Sequence, residues 1–167
     1  MANTTPTTNS LENYFLPFTA NKDFKKEPRL LDRGEGVYYW NHKGDQVIDA
    51  SSGLFCVPLG HGRKEIAEAV HQQLLKLDYS PSFQVSHLPA FSLAEKVAKL
   101  LPGDLNNVFF TICGSTAIDS AIKIIQAYQH AIGQSQRVRF VSRERAYHGV
   151  NIGGTSLSGM IKNRETY

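Results

Sequence analysis

The spacing of hydrophobic residues along this chain predicts three amphipathic helices. They cover residues 64–77, residues 90–101 and roughly residues 115–132, where apolar side chains recur every three or four positions. Pro89 suits the first turn of the second helix. In the third helix, isoleucines form a wide apolar stripe. The stripe consists of Ile118, Ile122, Ile125 and Ile132.

Three shorter patterns predict strands. The runs NNVFFTI, at residues 106–112, and RVRFVS, at residues 137–142, flank the third helix and have the composition of buried strands. A strand, a helix and a strand in this order favour a parallel βαβ unit with a right-handed crossover. Residues 34–50 place the turn-forming residues 41–44 between two β-prone runs, which predicts an antiparallel hairpin. Together these patterns predict an α/β protein.

Composition and charge exclude several classes of protein. The chain has 167 residues, of which 41% are hydrophobic and 20% charged, which is ordinary for a globular protein, and a chain of this length can bury a sizeable core. A net charge of +3, without a basic run longer than a pair, does not support nucleic-acid binding. The two cysteines lack CxxC spacing and the six histidines lack ligand spacing, so no disulfide framework and no metal site are predicted.

The location of the protein is predicted from the same composition. Two cysteines are too few for a disulfide framework, which favours a reducing compartment. The polar first ten residues do not have the pattern of a signal peptide, and no apolar stretch has the length of a membrane span. We therefore expect a cytoplasmic protein with no membrane partner.

The strongest candidate for chemistry is the step from the run VFFTI into the third helix, at Cys113, Gly114 and Ser115. A helix start carries unpaired N–H groups and the positive end of the helix dipole. A glycine there allows an anion to approach closely, and a serine adds a hydroxyl donor. The step therefore predicts a phosphate cradle. Ser115 as an ordinary N-cap explains the local sequence equally well, and both interpretations stay open.

Other segments carry further candidates. Tyr147 and His148 follow the second predicted buried strand, where they could stack on a planar ligand and donate a hydrogen bond. A solvated surface loop is the alternative. Phe55 and Cys56 lie in the apolar loop SSGLFCVPLGHG and either line a substrate pocket or anchor the loop by packing. Asp119 is interpreted as a carboxylate that favours the dipole at its helix start.

These stretches together resemble the N-terminal part of the class III aminotransferases, most closely the ω-amino-acid (β-alanine):pyruvate transaminases. The resemblance covers nearly every residue after position 12, in the family's order. The matching stretches are LPFTANKDF, RGEGVYYWNHKGDQVIDASSGLFCV, GHGRKEIAEAV, LDYSPSF, FFTICGSTAIDSAIK and RERAYHGVNIGGTSLSGM.

The resemblance implies part of a pyridoxal 5′-phosphate-dependent fold of type I, an α/β fold. Residues 1–12 would form a disordered tail. Residues 13–75 would form the N-terminal part of a small domain, with the hairpin and the apolar loop. Residues 76–167 would begin a large cofactor-binding domain built on a parallel sheet.

The resemblance also implies roles for seven residues. Those implied to bind pyridoxal 5′-phosphate, by its phosphate or its ring, are Gly114, Ser115, Tyr147 and His148. Those implied to line a substrate pocket at a dimer interface are Phe18, Phe55 and Phe83. This chain departs from the family at two places. The family usually has tryptophan at the position of Phe55. It usually has Ser-Gly-Ser followed by Glu or a similar residue where this chain has Cys-Gly-Ser-Thr.

The activity implied by the resemblance is transfer of an amino group from a primary amine or ω-amino acid to pyruvate or another keto acid, by a homodimer. The family's Schiff-base lysine matches no position of this sequence, so no catalytic residue is assigned and turnover by this chain alone is not expected. Two alternatives stay open. One is a catalytically inactive remnant or interaction module that pairs with a full-length aminotransferase, and the other is a simple binder of a phosphate ligand.

Overall fold

A computed structural model describes residues 11–166 of the chain. Backbone contacts group these residues into two units, one ending at Val85 and the other beginning at Ser86. The tail predicted for residues 1–12 falls mostly outside the described residues. The domain boundary predicted between residues 75 and 76 stays a prediction.

The first unit contains a three-stranded antiparallel sheet. Its strands are β1 (Leu31–Glu35), β2 (Tyr38–Asn41) and β3 (Gln46–Ile48), in the order β1-β2-β3. The predicted hairpin is confirmed as β2 and β3, and its turn forms because the Asn41 side chain accepts hydrogen bonds from the N–H groups of Lys43 and Asp45. Strand β1 was not predicted, because LDRGE is polar and lacks alternation.

Helical segments accompany this sheet in the first unit. Lys64–Lys76 confirms the first predicted helix, and its apolar residues lie on one face. Two single turns, Asn21–Phe24 and Ser52–Phe55, were not predicted. The second of these lies within the apolar loop, and it begins after Ser51, whose side chain accepts a hydrogen bond from Leu54 N–H.

Between residues 86 and 166 the second unit contains four helices. Leu88–Ala98 and Gly114–Ala131 confirm the other two predicted helices, and Pro89 occupies the first turn as expected. Two short helices follow, Ile152–Leu157 and Ile161–Thr166. Neither was predicted. The first overlaps the Gly/Ser-rich stretch GGTSLSG, and the second, IKNRET, is short and mostly polar. No helix within residues 11–166 is both long and apolar enough to cross a lipid bilayer.

The two buried strands predicted around the third helix do not form. Residues 106–112 and 137–142 have irregular backbone, and in the described part of the chain neither run pairs with another strand. A strand exists only where a neighbour accepts and donates its backbone hydrogen bonds, which an apolar composition alone does not supply. The parallel βαβ unit predicted from these runs is therefore absent from residues 11–166.

The described residues do not bury the hydrophobic core that a chain of this length can form. Within residues 11–166 no hydrophobic side chain is buried, and Ile112 and Val141 of the two unpaired runs are 94% and 98% exposed. The buried side chains are polar instead and lie in the second unit. They are Ser115, Thr155 and Ser158.

Candidate functional site

The helix Gly114–Ala131 begins at the step that the sequence singled out. Cys113 is its N-cap residue, with extended backbone (φ −165°, ψ 167°), and its carbonyl accepts the first helical hydrogen bond from Ala117 N–H at 3.0 Å. Ser115 is the second residue of the helix and is not the N-cap. The interpretation of Ser115 as an ordinary cap is therefore wrong.

The hydroxyl group of Ser115 faces the segment that follows the irregular run. Val150 N–H donates a hydrogen bond to Ser115 Oγ at 3.0 Å, and Ser115 is only 9% exposed. A hydroxyl group that accepts one hydrogen bond can still donate its own proton. Ser115 therefore presents a fixed donor at the positive end of the helix dipole.

Gly149 allows this close approach of the two segments. Its φ is +108°, and a Cβ atom added there would lie 2.7 Å from Ser115 Cα and 2.8 Å from Ser115 Oγ. Both the backbone conformation and the short distance therefore require glycine. The structure in this way brings Tyr147 and His148, which immediately precede Gly149, to the start of the helix with Ser115.

Asp119 forms a second link between the same two segments. Its Oδ1 atom accepts a hydrogen bond from Gly154 N–H at 3.0 Å. Gly154 lies in the first half of the helix Ile152–Leu157. A Cβ atom on Gly153 would lie 2.6 Å from the same carboxylate oxygen. The interpretation of Asp119 as only a dipole-favouring charge is thus incomplete, because the side chain fastens the following helix to the cradle.

Ser158 fixes the other side of this segment. Its side chain is 2% exposed and donates a hydrogen bond to Ala146 O at 3.0 Å, and Gly159 N–H donates to the same carbonyl at 2.8 Å. Sequence reasoning missed Ser158 and assigned no role of its own to Gly149. The signal that could have found them is the density of Gly and Ser in GVNIGGTSLSG, a composition that permits close backbone packing.

The Cys113 thiol lies at this helix start, beside donors that favour its ionised form. Cys113 Sγ lies 3.4 Å from Thr116 Oγ1. The hydrogen bond from the Thr116 side chain, followed by that from the Thr116 backbone amide, lowers the pKa of the exposed Cys113 thiol, while desolvation opposes the shift. Amides of a helix start stabilise an anion in this position.

Replacing Thr116 with valine is expected to slow the alkylation of Cys113 near neutral pH. The variant keeps the shape of the side chain but removes the hydroxyl donor, so the pKa of Cys113 rises and its thiolate fraction falls. The rate is measured with iodoacetamide and mass spectrometry of the Cys113 peptide. Cys56, also exposed, serves as the internal control in the same sample. An unchanged rate at Cys113 would contradict the stated role of Thr116.

The geometry of the helix start fits a phosphate group. A Cβ atom on Gly114 would have no atom within 4 Å, so the space beside the first turn is open. The donors around this space are the amides of the first turn and the Ser115 hydroxyl group. Tyr147 lies two residues before Gly149 and is 60% exposed, so its side chain is accessible to a planar ring. The residues present thus fit the phosphate and ring of pyridoxal 5′-phosphate.

The three phenylalanines predicted to line a substrate pocket lie in the first unit. Phe18, Phe55 and Phe83 are 79%, 84% and 87% exposed. Phe18 and Phe55 have left-handed backbone, with φ of 50° and 67°. None of the three rings stacks on another ring in the part of the chain that the structure describes. Their role in binding substrate stays a prediction.

Two other features of the described residues lie apart from this site. A cleft of about 760 Å³ lies in the first unit, between residues 19–31 and the end of the hairpin, and none of the predicted site residues lines it. Among residues 11–166, no group of three or more His, Cys, Asp or Glu side chains is arranged to hold a metal ion.

Comparison with known proteins gives one consistent match. The family model "Aminotransferase class-III" matches residues 19–166. The beta-alanine–pyruvate aminotransferase of Pseudomonas aeruginosa is 49% identical and is aligned over 95% of this chain and 35% of its own length. The omega-amino acid–pyruvate aminotransferase of Pseudomonas putida is 47% identical, over 94% of this chain and 35% of its own length.

Solved structures agree. An (S)-enantioselective omega-transaminase from Thermomicrobium roseum is 35% identical with a TM-score of 0.91, over 95% of this chain and 36% of that chain. The omega transaminase from Pseudomonas jessenii in complex with PMP is 30% identical, with the same TM-score and coverage. These similarities confirm the predicted class, a partial α/β fold. The chain spans about a third of the length of the relatives that it matches.

Proposed function

This chain belongs to the class-III aminotransferase family, and on that premise we propose that it forms the phosphate-binding part of a pyridoxal 5′-phosphate-dependent transaminase. The reaction moves an amino group from a primary amine or ω-amino acid to pyruvate or another keto acid. The observation that carries the proposal is the buried Ser115 hydroxyl group, which Val150 N–H holds at 3.0 Å beside the open helix start. The names of the similar Pseudomonas proteins support the choice of substrates.

Each part of the cradle has a defined task in this proposal. The amides at Gly114 and Ser115 and the Ser115 hydroxyl group bind the phosphate, whose charge the helix dipole favours. Tyr147 stacks on the pyridine ring and fixes its plane, and His148 lies beside it. When bound, the cofactor supplies an electron sink for the substrate carbon that loses its proton. This chain therefore holds and orients the group on which the chemistry depends.

The proposal includes the setting of the enzyme. We infer a cytoplasmic homodimer in which Phe18, Phe55 and Phe83 line the amine pocket. Their large exposed fractions support a role in contacts that lie outside the two described units.

The cradle is tested with pyridoxamine 5′-phosphate, because this amine cannot condense with surface lysines as an aldehyde would. We expect it to bind the chain at least about tenfold more tightly than pyridoxamine, which is about 1.4 kcal/mol from the phosphate. Isothermal titration calorimetry measures both affinities. Inorganic phosphate should compete with pyridoxamine 5′-phosphate and should not affect the binding of pyridoxamine. Equal affinities for the two ligands would contradict the proposed function.

A second candidate function is an interaction module that pairs with a full-length aminotransferase. The observation that favours it is the absence of buried hydrophobic side chains among residues 11–166, which leaves many large apolar side chains exposed. Large exposed apolar surfaces usually mark contacts with another protein. Mixing the chain with a full-length relative and measuring the mass of the product by light scattering separates the two candidates. A stable mixed species without binding of pyridoxamine 5′-phosphate would favour the module.

A further inference from the structure

Four successive residues of the first unit have left-handed backbone. The φ angles of Ser52, Gly53, Leu54 and Phe55 are +51°, +59°, +58° and +67°. Only the glycine adopts such angles without penalty, because in other residues the Cβ atom crowds the following carbonyl oxygen. A strained turn of this kind persists only where the surrounding structure over-determines it, and such turns concentrate at functional sites.

The carboxylate of Asp49 holds this turn. Its Oδ2 atom accepts a hydrogen bond from Gly53 N–H at 2.6 Å, and its Oδ1 atom accepts from Ser51 N–H at 3.1 Å and from Ser51 Oγ at 3.2 Å. The Asp49 side chain is only 5% exposed. A buried carboxylate with several donors is a fixed point, because each donor would lose its partner if the chain moved.

His61 fastens that carboxylate to the sheet. His61 Nε2 lies 2.7 Å from Asp49 Oδ2, and because the ionised carboxylate only accepts, the nitrogen donates. The backbone of His61 exchanges hydrogen bonds with Gly36 at 3.0 and 2.8 Å, and its ring packs on Tyr39 at 4.2 Å between centroids. The hydrogen bond from His61 lowers the pKa of Asp49, which keeps the carboxylate charged.

We propose that Asp49 and His61 are positioning residues that hold the left-handed turn Ser52–Phe55 and thereby fix the direction in which Phe55 meets the substrate. The inference rests on the proposed function for the identity of that substrate, an amine whose apolar or aromatic substituent contacts the Phe55 ring. Phe55 stands at the end of the turn and is 84% exposed, so its own packing does not orient it. Its orientation is set by the backbone, and the backbone is set by the Asp49–His61 pair.

Hydrogen exchange of the full chain, followed by mass spectrometry of peptides, tests the pair. In Asp49→Ala and in His61→Ala, amides in a peptide covering residues 51–59 are expected to exchange about tenfold faster, because the bonds that fix the turn are lost. Peptides of β2 and β3 and of the helix Gly114–Ala131 should exchange as in the wild type. Asp32→Ala, an exposed aspartate on β1, is the matched control and should change none of these peptides.

Conservative variants separate positioning from general support. Asp49→Asn keeps an oxygen that accepts from Gly53 N–H, and His61→Gln keeps a side-chain donor, so each should restore part of the protection that its alanine variant loses. The rotational freedom of side chain 55 is measured separately by the fluorescence anisotropy of Phe55→Trp in a Trp40→Phe background, where it is the single tryptophan. Adding Asp49→Ala should lower this anisotropy, and adding Asp49→Asn should lower it less.

Two results would overturn the inference. One is unchanged exchange in residues 51–59 of both alanine variants. The other is equal acceleration in β2 and β3, which would make the pair a general support of the first unit rather than a holder of the turn. Neither measurement uses a cofactor. Failure of pyridoxamine 5′-phosphate to bind would therefore remove the proposed function and leave the exchange result standing, whereas unchanged exchange would remove this inference alone.

Discussion

Replacing Gly149 with alanine is expected to weaken the binding of pyridoxamine 5′-phosphate by at least about tenfold, since strained backbone costs about 1–3 kcal/mol. Alanine disfavours a φ of +108°, and its Cβ atom would lie 2.7 Å from Ser115 Cα, a backbone atom that cannot rotate away. The segment containing Tyr147 and His148 would move off the helix start. Calorimetry gives the affinity, and amide exchange at Val150 reports whether its bond to Ser115 persists.

Gly103 provides the matched control for this substitution. It also has left-handed backbone, with φ of +63°, but a Cβ atom there would have no atom within 4 Å. Gly103→Ala therefore introduces the conformational penalty in the same unit without the steric conflict. If both variants lose affinity equally, or if Gly149→Ala binds as the wild type does, then close packing of Gly149 on Ser115 does not build the cradle.

Replacing Ser115 with alanine should weaken the same ligand by about tenfold to a hundredfold, because hydrogen bonds to charged groups contribute about 1.5–3 kcal/mol. The variant removes the hydroxyl donor to the phosphate and leaves Val150 N–H without its acceptor. Alanine is a better helix former than serine, so the helix Gly114–Ala131 itself should persist. Calorimetry with pyridoxamine 5′-phosphate and with pyridoxamine measures the effect, which should be confined to the phosphorylated ligand.

Ser120→Ala is the control for Ser115. Ser120 is half-buried on the same helix, one turn further from its start, and the substitution is chemically identical. We expect its affinity to match the wild type. A loss of affinity shared by Ser120→Ala, or a loss at Ser115 that extends equally to pyridoxamine, would mean that the serine supports the helix and does not bind phosphate.

The sequence predicted those elements whose stabilisation is local. The helix Lys64–Lys76 and the hairpin of β2 and β3 form from bonds between residues near each other in the chain, and their patterns contain that information. The runs at residues 106–112 and 137–142 have equally clear patterns. Their strand structure depends on partner backbone, which the apolar composition does not supply, and no such partner lies within residues 11–166.

The candidate site was likewise predictable only where local sequence determines it. Gly114 and Ser115 were found because a helix start has recognisable chemistry in sequence. Gly149 and Asp119 were missed as cradle residues because their roles come from contacts between segments far apart in the chain. The turn Ser52–Phe55 was missed for another reason. Leucine and phenylalanine do not signal left-handed backbone, and only the contacts of Asp49 show why the chain adopts it here.

The two links that build the cradle have the same sequence separation. Ser115 pairs with Val150 and Asp119 with Gly154, and each pair is 35 residues apart. Ser115 and Asp119 are four residues apart on the helix, and their partners Val150 and Gly154 are also four residues apart on the following segment. The two hydrogen bonds therefore form together only when both spacings are kept. Extra length in the irregular stretch 132–145 would leave this match intact, at only about 0.6 kcal/mol per doubling of the loop. A single residue inserted between positions 150 and 154 would prevent the hydrogen bonds to Ser115 and to Asp119 from forming together. Evolution can thus vary the length of the connection freely, while the spacing of the two short segments cannot drift.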